Sequence, residues 1–405
     1  MELRLISLMG LFVMMFLAWL MSSHKFRFPW RIAISGVVLQ FLLATFVFHT
    51  TAGQTTFRLI GDFFTATLNF VDVGASFVFG DKFQDYFFAF KVLPTIIFFS
   101  SLMSVLYYLR VMQVLVKGMA YILQWTLRTS GAETLSAAAN IFMGQTEAPL
   151  VVKPYIPLMT RSELNAVMVG GFSTISGSLL AVFAGMKIPV EHLVTASVIS
   201  APASLVIAKI LVPETEEPKT LGQLKLDVPP MGTNVLEAAA IGASDGVKLA
   251  INVAAMLIAF LGLLAMIDKG ISLTGGLLGY EWSLGLLFGY TFAPFAWLMG
   301  IESGDCFEAA ELLGLKMVAN EFVAYSKLQE WIAPGSDVQL SERSVMILTY
   351  ALCGFSNFAS IGIQIGGLGG MAPERQSELA QLGFRAMLGG TLACFMTACV
   401  AGILL

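Results

Sequence analysis

Apolar runs separated by short polar clusters extend through the whole chain. A membrane-spanning helix needs about 20 such residues, and the runs at 5–21, 32–48, 87–108, 193–212, 249–267, 282–299 and 384–405 approach or reach that length. His24, Lys25, Arg27 and Arg31 follow the first run, and no small-residue cleavage site does. It therefore reads as a retained span with a cytoplasmic exit and an outside N-terminus. Arg58, Asp62 and Asp72 interrupt residues 56–78, which fits an interfacial or partly buried helix. The clearest loop is 213–230, where prolines mix with Glu214, Glu216, Glu217, Lys219, Lys225 and Asp227. Beyond it, Asn234 and Glu237 cap a short amphipathic helix that leads into the span at 249.

From Gly131 the pattern changes, because polar residues and glycines break the apolar runs. Residues 134–159 contain Asn140-Ile-Phe-Met-Gly-Gln-Thr-Glu-Ala-Pro-Leu150. Thr160-Arg-Ser-Glu163 is a capping box that opens a new helix, and that helix runs into Gly170-Gly-Phe-Ser-Thr-Ile-Ser-Gly177. A second broken segment covers 309–328, and Ser341 caps another that extends to about 366. Gly366-Gly367-Leu368-Gly369-Gly370 reads as a flexible or close-packed turn.

The breaks recur in the same order in both halves. Thr146-Glu147, Ser162-Glu163 and Gly171-Phe-Ser-Thr174 are matched by Asn320-Glu321, Ser341-Glu342 and Gly354-Phe-Ser-Asn357. Paired interrupted segments are the sequence mark of a secondary transporter. Backbone exposed at membrane depth is tolerated only where it lines a cavity. Each half therefore predicts one re-entrant hairpin and one discontinuous helix.

Composition sharpens this picture. Of 405 residues, 57% are hydrophobic and 12% charged, about half the charge of an ordinary soluble domain. Disorder, a nucleic-acid-binding domain and a small secreted scaffold are excluded. An all-α polytopic membrane protein remains, with the lipid bilayer as its partner and no nucleic acid. Cys306, Cys353, Cys394 and Cys399 sit in apolar surroundings without a CxxC pair and read as buried thiols. No HExxH motif, P-loop or GxSxG elbow occurs, so neither a catalytic zinc nor ATP-driven transport has local support.

Glu147 and Glu321 are the sharpest features. A carboxylate at mid-membrane costs at least ~2.5–3.5 kcal/mol, so neither is expected to face lipid. For Glu321, pairing with Lys316 or Lys327 is the structural alternative. Gln145, Thr146 and Glu147 offer an amide, a hydroxyl and a carboxylate at a glycine-marked tip, suited either to a heterocyclic base or to capping of the tip. Asn320, Glu321, Asn357 and Ser360 form a second polar cluster that suits the diol of a sugar. Phe355 packs either on a flat ring or into the core. Asn140 and Thr174, with carbonyls freed at the breaks, suit a hard monovalent cation, and an interhelical hydrogen bond is the alternative for Asn140.

Gly144-Gln-Thr-Glu-Ala-Pro-Leu150, Ala319-Asn-Glu-Phe-Val-Ala-Tyr325, Ser341-Glu-Arg-Ser344 and Tyr350-Ala-Leu-Cys-Gly-Phe-Ser-Asn357 resemble motifs of the concentrative nucleoside transporter family. So does Asn234-Val-Leu-Glu through Ser244-Asp-Gly-Val-Lys-Leu-Ala250. The resemblance covers nearly the whole chain, in order, and the length is similar to that of bacterial members. It implies a homotrimer in a bacterial inner membrane. Each protomer would have a scaffold and an elevator-type transport domain that carries the hairpins and broken helices. By motif, Gln145, Thr146, Glu147 and Leu179 would face the nucleobase of a substrate such as uridine. Glu321, Phe355, Asn357 and Ser360 would face the ribose. Sodium would be held by Asn140, Thr174 and the backbone of Met143 and Ile175. The family often has serine at the position of Thr174, and the hydroxyl is kept.

The expected organisation is 1–130 for the N-terminal spanning and interfacial helices with part of the scaffold, and 131–212 for the first transport repeat. Residues 213–304 would supply the loop, amphipathic helix and scaffold span, and 305–405 the second repeat. The expected function is sodium-coupled nucleoside symport without an organic cofactor. Proton coupling is the alternative. An intramembrane enzyme using Glu147 and Glu321 would need a nucleophile or metal that nothing supplies, and a channel conflicts with the paired breaks.

Overall fold

The computed structural model describes residues 1–80, 88–186, 188–221, 232–277 and 279–405. Among them all regular structure is helical, as the apolar periodicity predicts. Seven helices are long and apolar enough to cross a membrane, and 284–298 and 358–371 are shorter apolar helices.

The N-terminal part comprises α1 (Glu2–Leu20), α2 (Trp30–His49), α3 (Thr51–Phe79), a π-turn at Phe88–Val92, α4 (Leu93–Tyr108) and α5 (Val111–Leu127). The expected start of the run at 87 lies outside the described residues. The sequence reading places no element where α5 forms. Its buried residues Met112, Val116, Ala120, Leu123 and Leu127 lie on one helical face. Only part of each turn is apolar, so it does not register as a span.

The central and C-terminal parts hold the matched breaks. First come α6 (Gly131–Asn140), a 3-10 segment (Ala148–Leu158), α7 (Arg161–Phe172), α8 (Gly177–Gly185) and α9 (Val190–Leu211). The second set is α12 (Cys306–Val318), α13 (Glu321–Ile332), α14 (Glu342–Leu352), α15 (Phe358–Met371) and α16 (Gln376–Leu404). Each set is a helix–turn–helix hairpin, a broken helix and a long helix. The second arm of the first hairpin is 3-10 rather than α because Pro149, Pro154 and Pro157 lack backbone donors there. Thr160 and Glu163 form the expected capping box, and Ser341 accepts from Ser344 N.

Between the two sets lie α10 (Val235–Leu277) and α11 (Leu284–Leu298). The loop expected at 213–230 is described only to 221, and that part is non-helical. The short amphipathic helix and the separate span expected after it are one continuous helix of 43 residues. Gly242 and Gly246 do not break it, because they are where α10 packs against Ser100, Ser104 and Ile97 of α4. The caps are as expected: Asn234 Oδ1 accepts from Glu237 N at 2.9 Å, and Glu237 Oε2 accepts from Thr233 N at 2.6 Å.

The turn expected at Gly366–Gly370 is also helix, inside α15. Its close packing is real: a Cβ on Gly367 would stand 2.9 Å from Thr146 Cγ2. Glycine lets the first hairpin tip rest on this helix.

Burial sorts the elements into two classes. α7 to α9 are buried throughout their spans, and α16 nearly so, whereas α1, α2, α4 and α10 bury only a minority of theirs. The outer helices leave Phe12, Leu42, Ile251 and Ile258 exposed. Such extended apolar surface needs lipid or a partner against it. α1 lies on α16 and α2 on α9, while α10 packs along α4. The first broken helix is thereby enclosed, whereas α15 leaves Phe358 and Ile363 exposed.

Candidate binding site between the broken helices

The first break exists because side chains compete with the helix for its own backbone. Ser173 Oγ and Thr174 Oγ1 both donate to Gly170 O at 3.1 Å, and Ser176 then caps α8 by accepting from Leu179 N. At the second break, Asn357 Oδ1 accepts from Ser360 N at 2.9 Å and starts α15. The two breaks meet: Phe355 N donates to Thr174 O at 3.3 Å. The first hairpin tip closes on the same place, with Gly177 N donating to Phe142 O at 3.0 Å.

The two polar clusters expected from the sequence come together here. Gln145 Nε2 donates to Ser360 Oγ at 3.1 Å, and Asn357 Nδ2 donates to Glu321 Oε2 at 3.1 Å. Gln145, Glu321, Asn357 and Ser360 are all buried, as are Leu179 and Phe355. Glu321 opens α13 and is held by the cap of α15, so its carboxylate lies at the positive ends of a hairpin arm and a half-helix. Neither lysine forms an ion pair with it. Lys316 Nζ donates to Ala351 O at 2.8 Å, and Lys327 pairs with Glu311. Asn320 is occupied with capping α13, accepting from Val323 N at 2.9 Å.

Glu147 differs from Glu321. It is exposed at the hairpin tip, where Oε2 accepts from Gly144 N at 3.2 Å. No hydrogen bond or ion pair among the described residues links it to the ribose-side cluster.

Asn140 is fully buried, and Nδ2 donates to Ser136 O at 3.0 Å. Its Oδ1 has no hydrogen-bond partner among the described residues. Gly170 lies against this amide and also receives the Thr174 hydroxyl, which places Asn140 and Thr174 around one backbone position. Met143 and Ile175 are buried in the tip and the break that touch each other. An unmet side-chain oxygen on a residue that shares Gly170 with the Thr174 hydroxyl, next to irregular backbone, suits a hard cation. No cluster of His, Cys, Asp and Glu suited to a metal occurs among the described residues.

One buried polar residue of this region escapes the motif reading. Gln364 Nε2 donates to Gln145 Oε1 and to Met168 O, each at 3.1 Å. The signal was its spacing: Gln364 lies four residues after Ser360, on the same face of a glycine-rich half-helix.

Residues 192–402 match the C-terminal model of the Na+ dependent nucleoside transporters, and residues 9–82 match the N-terminal one. The chain belongs to this family. Residues 89–188 between them match a nucleoside recognition gate. The human protein solute carrier family 28 member 3 is 46% identical over 99% of this chain and 60% of its own length. A Haemophilus influenzae protein, described as an uncharacterized transporter, is 45% identical over 98% of this chain and 97% of its own. The chain spans about 60% of the length of the human relative. A structure of CNTnw in an inward-facing substrate-bound state superposes with TM-score 0.93 at 42% identity, covering 99% of this chain and 98% of that one. CNTnw in an intermediate state gives TM-score 0.94 at 41% identity, with 99% and 98% covered. These relatives are named as a solute carrier and a transporter, and this chain of their family has seven helices long and apolar enough to cross a membrane.

Proposed function

We propose that the protein is a sodium-coupled nucleoside symporter of a bacterial inner membrane, working as a homotrimer by an elevator mechanism. The observation that carries the reading is the meeting of Gln145 with Ser360 and of Glu321 with Asn357, where both hairpins reach the second broken helix. Gln145, Thr146, Glu147 and Leu179 take the base. Glu321, Phe355, Asn357 and Ser360 take the ribose, whose vicinal hydroxyls donate to the Glu321 carboxylate. Burial makes the site selective: an analogue lacking a sugar hydroxyl leaves a buried acceptor unpaired.

Sodium rides as co-substrate on Asn140 Oδ1, the Thr174 hydroxyl and the carbonyls of Met143 and Ile175. Binding there joins hairpin tip to broken helix and orders Gln145 two residues beyond Met143. Residues 131–212 and 305–405 form the re-entrant, mobile unit. Residues 1–130 and 213–304 supply the remaining helices, including the scaffold. A ligand shifts the balance between inward and outward forms only through differential affinity, here by closing the tips on cargo.

Uptake of labelled uridine into proteoliposomes, with and without an inward sodium gradient, tests this reading. Accumulation above equilibrium that needs sodium is the expected result. Accumulation driven by a pH gradient alone would remove sodium, and mere equilibration would remove symport.

A further inference from the structure

Gln364 is 1% exposed and sits between two acceptors. Its Nε2 is 3.1 Å from Met168 O and 3.1 Å from Gln145 Oε1, and both contacts use the amide as donor. Its own Oε1 is buried without a partner among the described residues. An amide that leaves its oxygen unmet would ordinarily turn over. Here the turned amide would set Oε1 against the carbonyl of Met168, which cannot donate. A backbone carbonyl in α7 therefore fixes the orientation of Gln364.

That orientation passes on. Facing an NH2 group, Gln145 must present Oε1 to Gln364, so its Nε2 lies on the other side. There it donates one N–H to Ser360 Oγ at 3.1 Å. Gly171 leaves no slack, because a Cβ on it would stand 2.6 Å from Gln364 Nε2 and 3.0 Å from Gln145 Cβ. The relay runs Met168 carbonyl, Gln364 amide, Gln145 amide, Ser360 hydroxyl. It ties the first broken helix, the second broken helix and the first hairpin tip together.

We propose that Gln364 is a positioning residue for base selection: it holds the Gln145 amide with N–H, not carbonyl, toward the nucleoside, so that bases placing an acceptor there are favoured. This rests on the reading of Gln145 as a base-side residue in a nucleoside carrier. Without Gln364 the Gln145 amide is free to turn and offer either end, and bases that exchange a ring carbonyl for an amino group, with loss of the proton on the adjacent ring nitrogen, become harder to tell apart.

The test is competition against labelled uridine uptake in proteoliposomes by unlabelled uridine, cytidine, inosine and adenosine, for the wild-type chain and Gln364→Met. Methionine keeps length and apolar packing but neither donates nor fixes an amide. Expected is a change of about fivefold in the uridine-to-cytidine or inosine-to-adenosine affinity ratio, the size of one hydrogen bond's net contribution. A merely structural role would scale all four affinities together, and unchanged ratios overturn the proposal. Gln364→Glu gives a second reading if the methionine variant does not assemble. A carboxylate there accepts, turns Gln145 round and moves the ratios toward the amino bases; unchanged ratios again overturn the proposal. A wild-type chain that transports no nucleoside overturns instead the functional reading on which the proposal rests.

Discussion

Asn357 Nδ2 stands 3.1 Å from Glu321 Oε2, so the cap of a half-helix holds the first residue of a hairpin arm. The Asn357 side chain is used at both ends, since its Oδ1 accepts from Ser360 N. One side chain thus sets the position of an acid and the start of α15 together. That coupling is why the ribose-side cluster is expected to act as a unit.

Glu321→Gln keeps the volume and removes the charge. A glutamine oxygen accepts from a sugar hydroxyl more weakly than a carboxylate does, and its NH2 cannot accept at all. Charged hydrogen bonds contribute ~1.5–3 kcal/mol, so uridine uptake should fall by about tenfold or more. Size-exclusion profiles should be unchanged, because Glu321 forms no ion pair with Lys316 or Lys327. Normal uptake by the variant would take Glu321 out of the site.

Asn140→Ala removes a buried oxygen, Oδ1, that has no hydrogen-bond partner among the described residues. The sodium concentration for half-maximal uptake should rise by about tenfold or more, as expected for loss of an ion ligand worth one charged interaction. Nucleoside affinity at saturating sodium should change much less. A sodium titration that overlays the wild type would show that Asn140 serves only to join helices.

Lys209 and Glu133 form a buried ion pair at 2.7 Å, and Lys209 also reaches Glu214 at 3.3 Å and Ser162 Oγ at 2.9 Å. Lys209→Met leaves Glu133 buried and uncompensated, which should cost about 3–5 kcal/mol and lower the apparent melting temperature in detergent. Adding Glu133→Met should recover most of the loss. Equal melting of the single variant and the wild type would mean that the pair does not fasten the first hairpin to α9.

The breaks were legible in the sequence because each has a local chemical cause. Ser173, Thr174 and Ser176 around the first, and Asn357 at the second, announce hydroxyl competition and capping without tertiary context. Family motifs supplied Leu179, Met143 and Ile175, which no local chemistry singles out. α5 was hidden because its apolar face is narrow, and the continuity of α10 because small residues read as breaks when they are packing positions. The Gly366–Gly370 run misled for the same reason. Glycine signals either a turn or a close approach, and only the presence of Thr146 against Gly367 tells which.

The sequence by itself determined that the chain is a membrane protein built on two matched sets of broken segments, because apolar length and local capping depend on near neighbours alone. Only the tertiary structure decided which polar residues face one another. Gln145 meets Ser360 across 215 residues of chain, and Gln364 meets Gln145 across 219. Those pairings follow from how the hairpin tip and the two breaks pack, and one backbone carbonyl, that of Met168, orients the whole relay. No periodicity along the chain encodes which end of a buried amide turns toward its neighbour.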